Sequence, residues 1–206
     1  MQGHPTLQSW LRYELKTFLL AHITQMEDCA NLSVDYQANN NTYYNWAQNT
    51  GANHTSCPYS FVFYLCLISK PQQNFASARQ RYLLEDACSH LATMCRQYND
   101  FGSVSRDRQE QNLNSINFPE FKIYTREEGH IDLETLEARR KRDLFEIAEY
   151  ERLCLNAALA ELEMCLDLNL LREIKLFVHV TDLYGQIYVA KDIGVWKLEN
   201  SKKVIV

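Results

Sequence analysis

Apolar residues at helical spacing limit the folds open to this chain more than any other feature. Residues 6–27 carry them three or four positions apart, which is the pattern of an amphipathic helix: Leu7, Leu11, Leu15, Phe18, Leu19 and Ile23. Similar patterns predict helices over residues 59–69, 74–108, 132–166 and 168–191. Only 6 of the 206 residues are Gly and 4 are Pro, which disfavours a loop-rich β-sandwich. We therefore expect an all-α fold with about five helices.

The connecting segments differ in composition from these helices. Residues 31–57 are rich in Asn, Thr, Gln and Tyr, so a polar loop is predicted there. Residues 59–69 are apolar on every side, which predicts a buried helix. Residues 109–131 lose the helical period and contain Pro119, so we predict an irregular loop, followed much later by a tail over residues 192–206. The length suits one domain.

Bulk properties indicate a cytoplasmic protein. The net charge of −5 gives no electrostatic reason to expect nucleic acid as a partner. No stretch holds the roughly 18 apolar residues of a membrane span, and the first residues lack the charged start and apolar run of a signal peptide. The seven cysteines form no C-x-x-C pair, so we expect reduced thiols rather than a zinc site or a disulfide framework.

One twelve-residue stretch, RQYNDFGSVSRD, mixes charged, polar and apolar residues in a way that neither a solvent-facing nor a buried helix requires. On a continuous helix each residue turns by roughly 100°. Five side chains then project within an arc of about 100°: Arg96, Asn99, Ser103, Arg106 and Asp107. Three of these side chains offer oxygen atoms, and two offer guanidinium groups.

Two interpretations of this helix face follow from the residue types. Amide, hydroxyl and carboxylate oxygens suit a hard cation such as Mg²⁺, which proteins commonly hold through one or two carboxylates plus substrate phosphates. Guanidinium groups suit phosphate oxygens. The face therefore fits a complex of Mg²⁺ with a diphosphate. The alternative is a salt-bridged surface patch at the end of a helix.

The motif N-D-x-x-S-x-x-x-D, from Asn99 to Asp107, resembles the second metal-binding motif of class I terpene synthases. The resemblance implies that Asn99, Ser103 and Asp107 bind Mg²⁺, with Asp107 in place of the more frequent Glu. It also implies that Arg96 and Arg106 contact the diphosphate of the substrate, because basic residues hold those two positions in relatives.

Other segments extend this resemblance over most of residues 5–193. The runs SRDRQEQNLNSINFPEF, ERLCLNAALAEL and VTDLYGQIYVAKDI resemble the C-terminal region of fungal bifunctional diterpene cyclases of the ent-kaurene and copalyl diphosphate synthase kind. The expected fold is a partial class I terpene synthase helical bundle, with residues 1–206 forming a single partial α domain. The expected substrate is an isoprenoid diphosphate, with copalyl or geranylgeranyl diphosphate favoured.

The family's first motif, DDxxD or DDxxE, does not occur in this sequence, and neither does the DxDD motif of its protonation-initiated domain. The resemblance therefore implies that N-terminal helices of the same domain are missing as partners of this chain. Two hypotheses remain open. The chain is part of a lyase that ionises an isoprenoid diphosphate, or it is a catalytically inactive helical remnant or binding module.

Aromatic side chains are candidates for the walls of a prenyl pocket, where their faces would stabilise carbocations. We predict this role for Phe61, Tyr98, Tyr184 and Tyr188. Tyr184 and Tyr188 are the strongest pair, because they lie four residues apart in the last predicted helix.

Overall fold

A computed structural model describes residues 5–32, 42–69, 77–122 and 133–190. Every regular element within those ranges is helical, so the all-α prediction is confirmed. The elements in chain order are α1 (Pro5–Ala30), α2 (Tyr43–Trp46), a π-helical turn (Ala47–Gly51), α3 (Ala52–His54), α4 (Cys57–Ile68), α5 (Ala78–Phe101), α6 (Val104–Glu110), two 3₁₀ turns (Ser115–Asn117 and Pro119–Phe121), α7 (Leu133–Glu163) and α8 (Leu168–Ala190). None of these helices is both long and apolar enough to cross a membrane.

Helix α1 forms where its apolar pattern predicts, but only part of that pattern is buried. Its buried side chains are Leu7, Trp10, Ala21 and Gln25. Leu15, Leu19 and Ile23 of the pattern are 40%, 55% and 54% exposed, whereas Leu11 is partly buried against the core. Helices α3 and α4 pack against α1, and a pattern of spacing alone does not tell which of its apolar residues they cover.

Part of the predicted polar loop is helical. Thr42 caps α2 by accepting a hydrogen bond from the backbone N–H of Asn45, and helical turns continue through α3. Trp46 is fully buried, with its ring centre 4.9 Å from that of Phe118. Burial of this indole offsets the low helix propensity of the surrounding Asn and Thr residues. Residues 33–41 of the predicted loop lie outside the described residues.

Helix α4 begins after Ser56, whose φ of 61° breaks the path from α3. Pro58 occupies its first turn, where a missing N–H costs nothing. The helix was predicted to be buried all round, and this is wrong for Phe63 and Leu67, which are 40% and 55% exposed. Phe61 and its neighbours on the same face are buried in the main core.

Helices α5, α7 and α8 form the centre of the molecule. Ser77 and Gln80 make a capping box at the start of α5, which satisfies N–H groups that the first turn leaves unpaired. Helix α7 packs along α5, and α8 contacts both. Their common core includes Leu84, Leu91, Leu155, Leu162 and Ile174.

The segment between α6 and α7 has no α-helix within its described part, but it is not loosely packed. In and around its two 3₁₀ turns, the segment buries Leu113, Ile116, Phe118 and Phe121 in a second apolar cluster, which also contains Trp46 of α2. Residues 123–132 lie outside the described residues, as does the predicted tail at 192–206. The assignment of residues 1–206 to one partial domain stays a prediction.

Candidate functional site

The motif residues lie on two helices rather than one. Helix α5 ends at Phe101, and α6 begins at Val104, with Gly102 and Ser103 forming the turn between them. A Cβ atom on Gly102 would clash with the backbone carbonyl oxygen of Tyr188 on α8, so this close approach of two backbones requires glycine. The single continuous helix over residues 74–108, from which the 100° arc was derived, is therefore wrong.

Four of the five predicted ligands nevertheless line one open cavity of about 900 Å³. Helices α5 and α6 contribute the polar side chains Arg96, Asn99, Arg106 and Asp107. Helix α8 contributes Phe177, Val180, Tyr184 and Tyr188. Glu110 at the end of α6 also lines the cavity. The cavity therefore has a polar wall with two guanidinium groups and two carboxylates, and a second wall, from α8, that is mainly apolar.

Ser103 lies behind the polar wall rather than on the cavity surface. It is 1% exposed, and its hydroxyl donates a hydrogen bond of 2.5 Å to Oδ2 of Asp107. The same oxygen accepts a 2.8 Å hydrogen bond from the side-chain amide of Asn114. Since both donors act on Oδ2, Oδ1 is the freer oxygen of Asp107; it has Arg106 Nη2 at 3.5 Å.

Asn99 and Arg106 are motif residues whose side chains keep polar atoms without a hydrogen bond to the described part of the protein. The side chain of Asn99 has no hydrogen-bond partner among the described residues and contributes to the cavity surface. Nε of Arg106 is buried and has no hydrogen-bond partner in the described part of the chain. An unpaired buried N–H costs about 1–3 kcal/mol, and an anion bound in the cavity would satisfy it.

Arg96 lines the cavity but already has protein partners for its guanidinium group. Nε lies 3.0 Å from Oδ2 of Asp100, and Nη2 donates to the carbonyl oxygen of Leu113 at 2.9 Å. Nη1 lies 3.4 Å from Nδ1 of His54, and the group stacks 4.7 Å from the ring centre of Trp46. One N–H on each terminal nitrogen remains for a ligand. Arg96 therefore supports the fold as well as the cavity wall.

Asp100, the second residue of the motif, is a buried structural centre that the sequence analysis did not identify. It is fully buried, and its Oδ2 also accepts hydrogen bonds of 2.8 and 2.7 Å from the backbone N–H and the hydroxyl of Ser115. Burial raises the pKa of Asp100, while the charge of Arg96 and the bonds from Ser115 favour the ionised form. The only hint in the sequence was that Ser115 falls in a flanking run that shares the family resemblance.

His54 is a second cavity residue that the sequence did not single out. It lines the cavity beside Arg96, and its ring centre lies 4.3 Å from that of His22 on α1. Burial lowers the pKa of His54 to about 4, assisted by the charges of Arg96 and His22. The imidazole is therefore neutral near pH 7, and its Nδ1 accepts the hydrogen bond from Arg96.

The four predicted aromatic pocket residues divide into two groups. Tyr184 and Tyr188 on α8 lie on the cavity surface. Phe61 is buried in the core against Phe177, with ring centres 5.4 Å apart, and Tyr98 is 1% exposed. Neither Phe61 nor Tyr98 is part of the described lining, so they act on the cavity only through the residues that they support.

Tyr98 belongs to a polar network that fixes α8 against α5 and α7. Its hydroxyl donates to Glu149 at 2.7 Å and accepts from Arg152 at 2.6 Å. Arg152 also makes a two-pronged ion pair with Asp182, with both contacts at 2.8 Å. A Cβ atom on Gly185 would lie 2.6 Å from the Tyr98 ring. This network sets the position of the α8 wall.

The donor set of the polar wall fits a magnesium ion only together with an anion. Within the described ranges, no three His, Cys, Asp or Glu side chains converge as a metal site. Asn99, Ser103 and Asp107 are hard oxygen donors with a single carboxylate among them, and Mg²⁺ bound through so few carboxylates usually takes further oxygens from substrate phosphates. Arg106, with its unpaired Nε, lies where such an anion would be neutralised.

Comparison with known proteins gives several relatives of this chain. Ent-kaur-16-ene synthase of Fusarium fujikuroi is 39% identical over 207 residues, which cover 91% of this chain and 21% of the relative. Pimaradiene synthase of Emericella nidulans is 38% identical over 202 residues, 90% of this chain and 20% of the relative. Ent-kaur-16-ene synthase of Phaeosphaeria sp. is 34% identical over 205 residues, 91% of this chain and 20% of the relative.

The other comparisons add no further relatives. No protein-family model matches the chain, and no solved structure matches it. The chain spans about a fifth of the length of the curated relatives that it matches. Over about nine tenths of its own length, this chain is a homologue of fungal diterpene synthases, which confirms the terpene synthase resemblance inferred from the motif and its flanks.

Proposed function

We propose that this chain provides the second Mg²⁺ and diphosphate-binding motif of a class I terpene cyclase, a lyase that ionises an isoprenoid diphosphate. The observation that carries the proposal is the convergence of Asn99, Arg106 and Asp107 on one wall of a cavity whose α8 wall is apolar. A diphosphate requires the first wall, and a prenyl chain requires the second. Homology to named diterpene synthases supports a C20 substrate, with copalyl or geranylgeranyl diphosphate favoured.

In this proposal each side chain has a defined role. Asn99, Ser103 and Asp107 hold one Mg²⁺, which when bound helps to neutralise the departing diphosphate. The hydroxyl hydrogen of Ser103 is directed to Oδ2 of Asp107, which leaves the lone pairs of the hydroxyl oxygen as the group that would bind a cation. Arg106 binds a diphosphate oxygen through its unpaired Nε. Arg96, which lines the cavity and is held by Asp100 and Leu113, adds a second positive charge beside the diphosphate.

The α8 wall contributes to binding of the hydrocarbon. Tyr184 and Tyr188 present aromatic rings to the cavity, and such rings attract carbocations by about 0.5–2 kcal/mol each. Helices carrying the aspartate-rich motif, which this sequence lacks, are the proposed partners that would complete the domain. The competing role is a binding module without turnover, and the absence of that motif from these 206 residues favours it for the isolated chain.

Isothermal titration calorimetry with inorganic pyrophosphate tests the proposed site. The 206-residue chain is titrated with and without Mg²⁺, beside a triple variant carrying Asn99→Ala, Ser103→Ala and Asp107→Ala. We expect Mg²⁺ to strengthen pyrophosphate binding to the wild-type chain and to have little effect on the triple variant. Equal strengthening by Mg²⁺ in both proteins would show that these three residues are not the metal ligands.

A further inference from the structure

The break between α5 and α6 raises the question of what holds Asn99 and Asp107 in register. A continuous helix would fix two residues eight positions apart through its own backbone. Here the helix is interrupted at Gly102 and Ser103, and α6 has only seven residues. Hydrogen bonds of Ser103 to Asp100 and Asp107 span the turn, and a contact from outside both helices would further fix the distance between the two proposed ligands.

The side-chain amide of Asn114 bridges this break. Its Nδ2 donates one hydrogen bond of 2.9 Å to the backbone carbonyl of Asp100, in the last turn of α5. It donates a second, of 2.8 Å, to Oδ2 of Asp107 in the first turn of α6. Asn114 is 2% exposed. A primary amide has two N–H donors, and both of them connect one helix to the other.

The orientation of this amide is fixed by its other contacts. Oδ1 of Asn114 accepts a hydrogen bond from the backbone N–H of Ile116 at 3.2 Å. The opposite orientation would place an oxygen against two acceptors, so only one assignment satisfies the network. The neighbouring Ser115 anchors the same segment to α5 through its two bonds to Asp100. Asn114 therefore sits on a rigid support.

We propose that Asn114 is a positioning residue for Asp107, holding its Oδ2 so that Oδ1 is presented to the metal at a fixed distance from Asn99. This inference rests on the proposed function. Asn114 does not itself reach the ion; it acts through the carboxylate that does. Residues that orient a metal ligand in this way typically contribute about 10- to 100-fold to metal affinity.

The substitution Asn114→Asp separates this role from the structural role of the same residue. The new side chain has the same shape and keeps an oxygen that can cap the 3₁₀ turn at Ile116, as Asp commonly does. It loses both N–H donors and places a negative charge against Asp107. Asn114→Ser is the second variant, because it keeps a capping oxygen and offers one donor in place of two.

Binding of Mn²⁺, followed by electron paramagnetic resonance, gives the readout in the presence and absence of inorganic pyrophosphate. Calorimetry of pyrophosphate alone is measured on the same samples, together with thermal unfolding. The charge-matched control is Asn156→Asp on the exposed face of α7. We expect Asn114→Asp to weaken Mn²⁺ binding with pyrophosphate by roughly 10- to 100-fold, while metal-free binding of pyrophosphate changes much less. Asn114→Ser should show an intermediate loss, and Asn156→Asp none.

Three results would overturn the inference, and they differ from one another. Unchanged Mn²⁺ affinity in Asn114→Asp would show that Asp107 does not need this support. An equal loss of metal-free and metal-assisted pyrophosphate binding in both Asn114 variants would show that the residue only maintains the fold. Retention of Mn²⁺ binding in the triple variant of Asn99, Ser103 and Asp107 would overturn the proposed function itself, and the role of Asn114 with it.

Discussion

The two sides of α5 differ in how many of the charged and apolar side chains next to them have contacts within the described chain. On the side facing α7, charged groups are paired: Arg152 binds Asp182 through two contacts of 2.8 Å, and Glu151 lies 2.6 Å from His90. On the side facing the cavity, Nε of Arg106 makes no hydrogen bond within the described residues and lies 4.0 Å from Oε2 of Glu110, and Tyr184 on the α8 wall is 66% exposed.

From this difference we expect the closed side to contribute mainly to stability and the cavity side to contribute to the proposed binding. The ion pairs Arg152–Asp182 and His90–Glu151 of the closed side lie wholly within the described chain, so we expect substitutions there to change the free energy of unfolding. Residues of the cavity side include polar atoms without a hydrogen bond and exposed apolar side chains. A ligand or another segment of protein would pair these atoms and cover this apolar surface. Substitutions on the two sides should therefore change different measurable quantities.

The largest expected effect is on the closed side. Leu91 is fully buried on α5, so Leu91→Ala should lower the free energy of unfolding by about 2–5 kcal/mol because it removes packed methyl groups and leaves a cavity. The matched control is Leu19→Ala on α1, where the side chain is 55% exposed and a change within about 0.5 kcal/mol is expected. Urea denaturation followed by circular dichroism measures both. Equal losses would show that the exposed face of α1 is covered in solution.

Substitution of the two motif arginines should have the next largest effect, and it compares a residue expected to act in binding with one that also supports the fold. Arg106→Lys should weaken pyrophosphate binding about tenfold or more, because an ammonium group cannot reproduce the contacts of a guanidinium fork, and a charge-assisted bond contributes about 1.5–3 kcal/mol. Arg96→Lys should lower stability as well, because Nε and Nη2 of Arg96 bind Asp100 and Leu113. Calorimetry and thermal unfolding separate the two outcomes. Unchanged affinity in both variants would show that neither arginine contacts the anion.

Exposed apolar side chains on α1 and α8 should cause a smaller effect, on association rather than on folding. Leu19 and Leu183 are 55% and 62% exposed, and large exposed apolar patches promote self-association. The double variant Leu19→Gln, Leu183→Gln should reduce self-association in sedimentation velocity and leave stability nearly unchanged. Leu153→Gln on α7, where the side chain is 67% exposed, is the control. If this control reduces association equally, Leu19 and Leu183 do not form the surface through which the chains associate.

The smallest expected effects are changes in how stability depends on pH. The folded-state pKa of His54 is lowered to about 4, so the unfolded chain binds more protons between pH 4 and about 6.5, and acid should destabilise the wild-type protein. His54→Gln should therefore lose less stability between pH 7 and pH 5. The hydrogen bond to Glu151 raises the pKa of His90, so its contribution is present below about pH 6.5 and is lost as pH rises through the folded value.

The two histidine variants should consequently differ in sign. Relative to wild type, His90→Gln should be most destabilising at low pH, whereas His54→Gln should be least destabilising there. Urea titrations at pH 5 and pH 8 provide the comparison. The same sign in both variants would contradict the assigned environments of these two rings.

Long periodic segments could be predicted from the sequence, but contacts between distant segments could not. The spacing of apolar residues predicts α1, α5, α7 and α8 because each helix presents one face to a core. The helical turns around Trp46 were missed, since they depend on burial against Phe118, which is 72 positions later in the chain. The break at Gly102 was missed for a similar reason: the backbone of Tyr188 lies against it.

Within the candidate site, the motif predicted which side chains line the polar wall better than it predicted their geometry. Asn99, Arg106 and Asp107 reach the cavity as expected, and their roles stay predictions. Asp100 and Asn114 were missed because their function lies in hydrogen bonds to each other's segments. Such bonds leave no periodic trace in the sequence.

Turnover of an isoprenoid diphosphate by this chain alone is the most direct test of the central claim, that the cavity provides one motif of an ionising site and not the whole site. Ionisation of an allylic diphosphate needs charge neutralisation by several cations, and this sequence holds no aspartate-rich motif for the others. Purified chain is incubated with Mg²⁺ and geranylgeranyl or copalyl diphosphate, and extracts are analysed by gas chromatography. We predict no cyclic hydrocarbon above a metal-free control. A clear Mg²⁺-dependent product would contradict the claim and show that the residues described here are sufficient for catalysis.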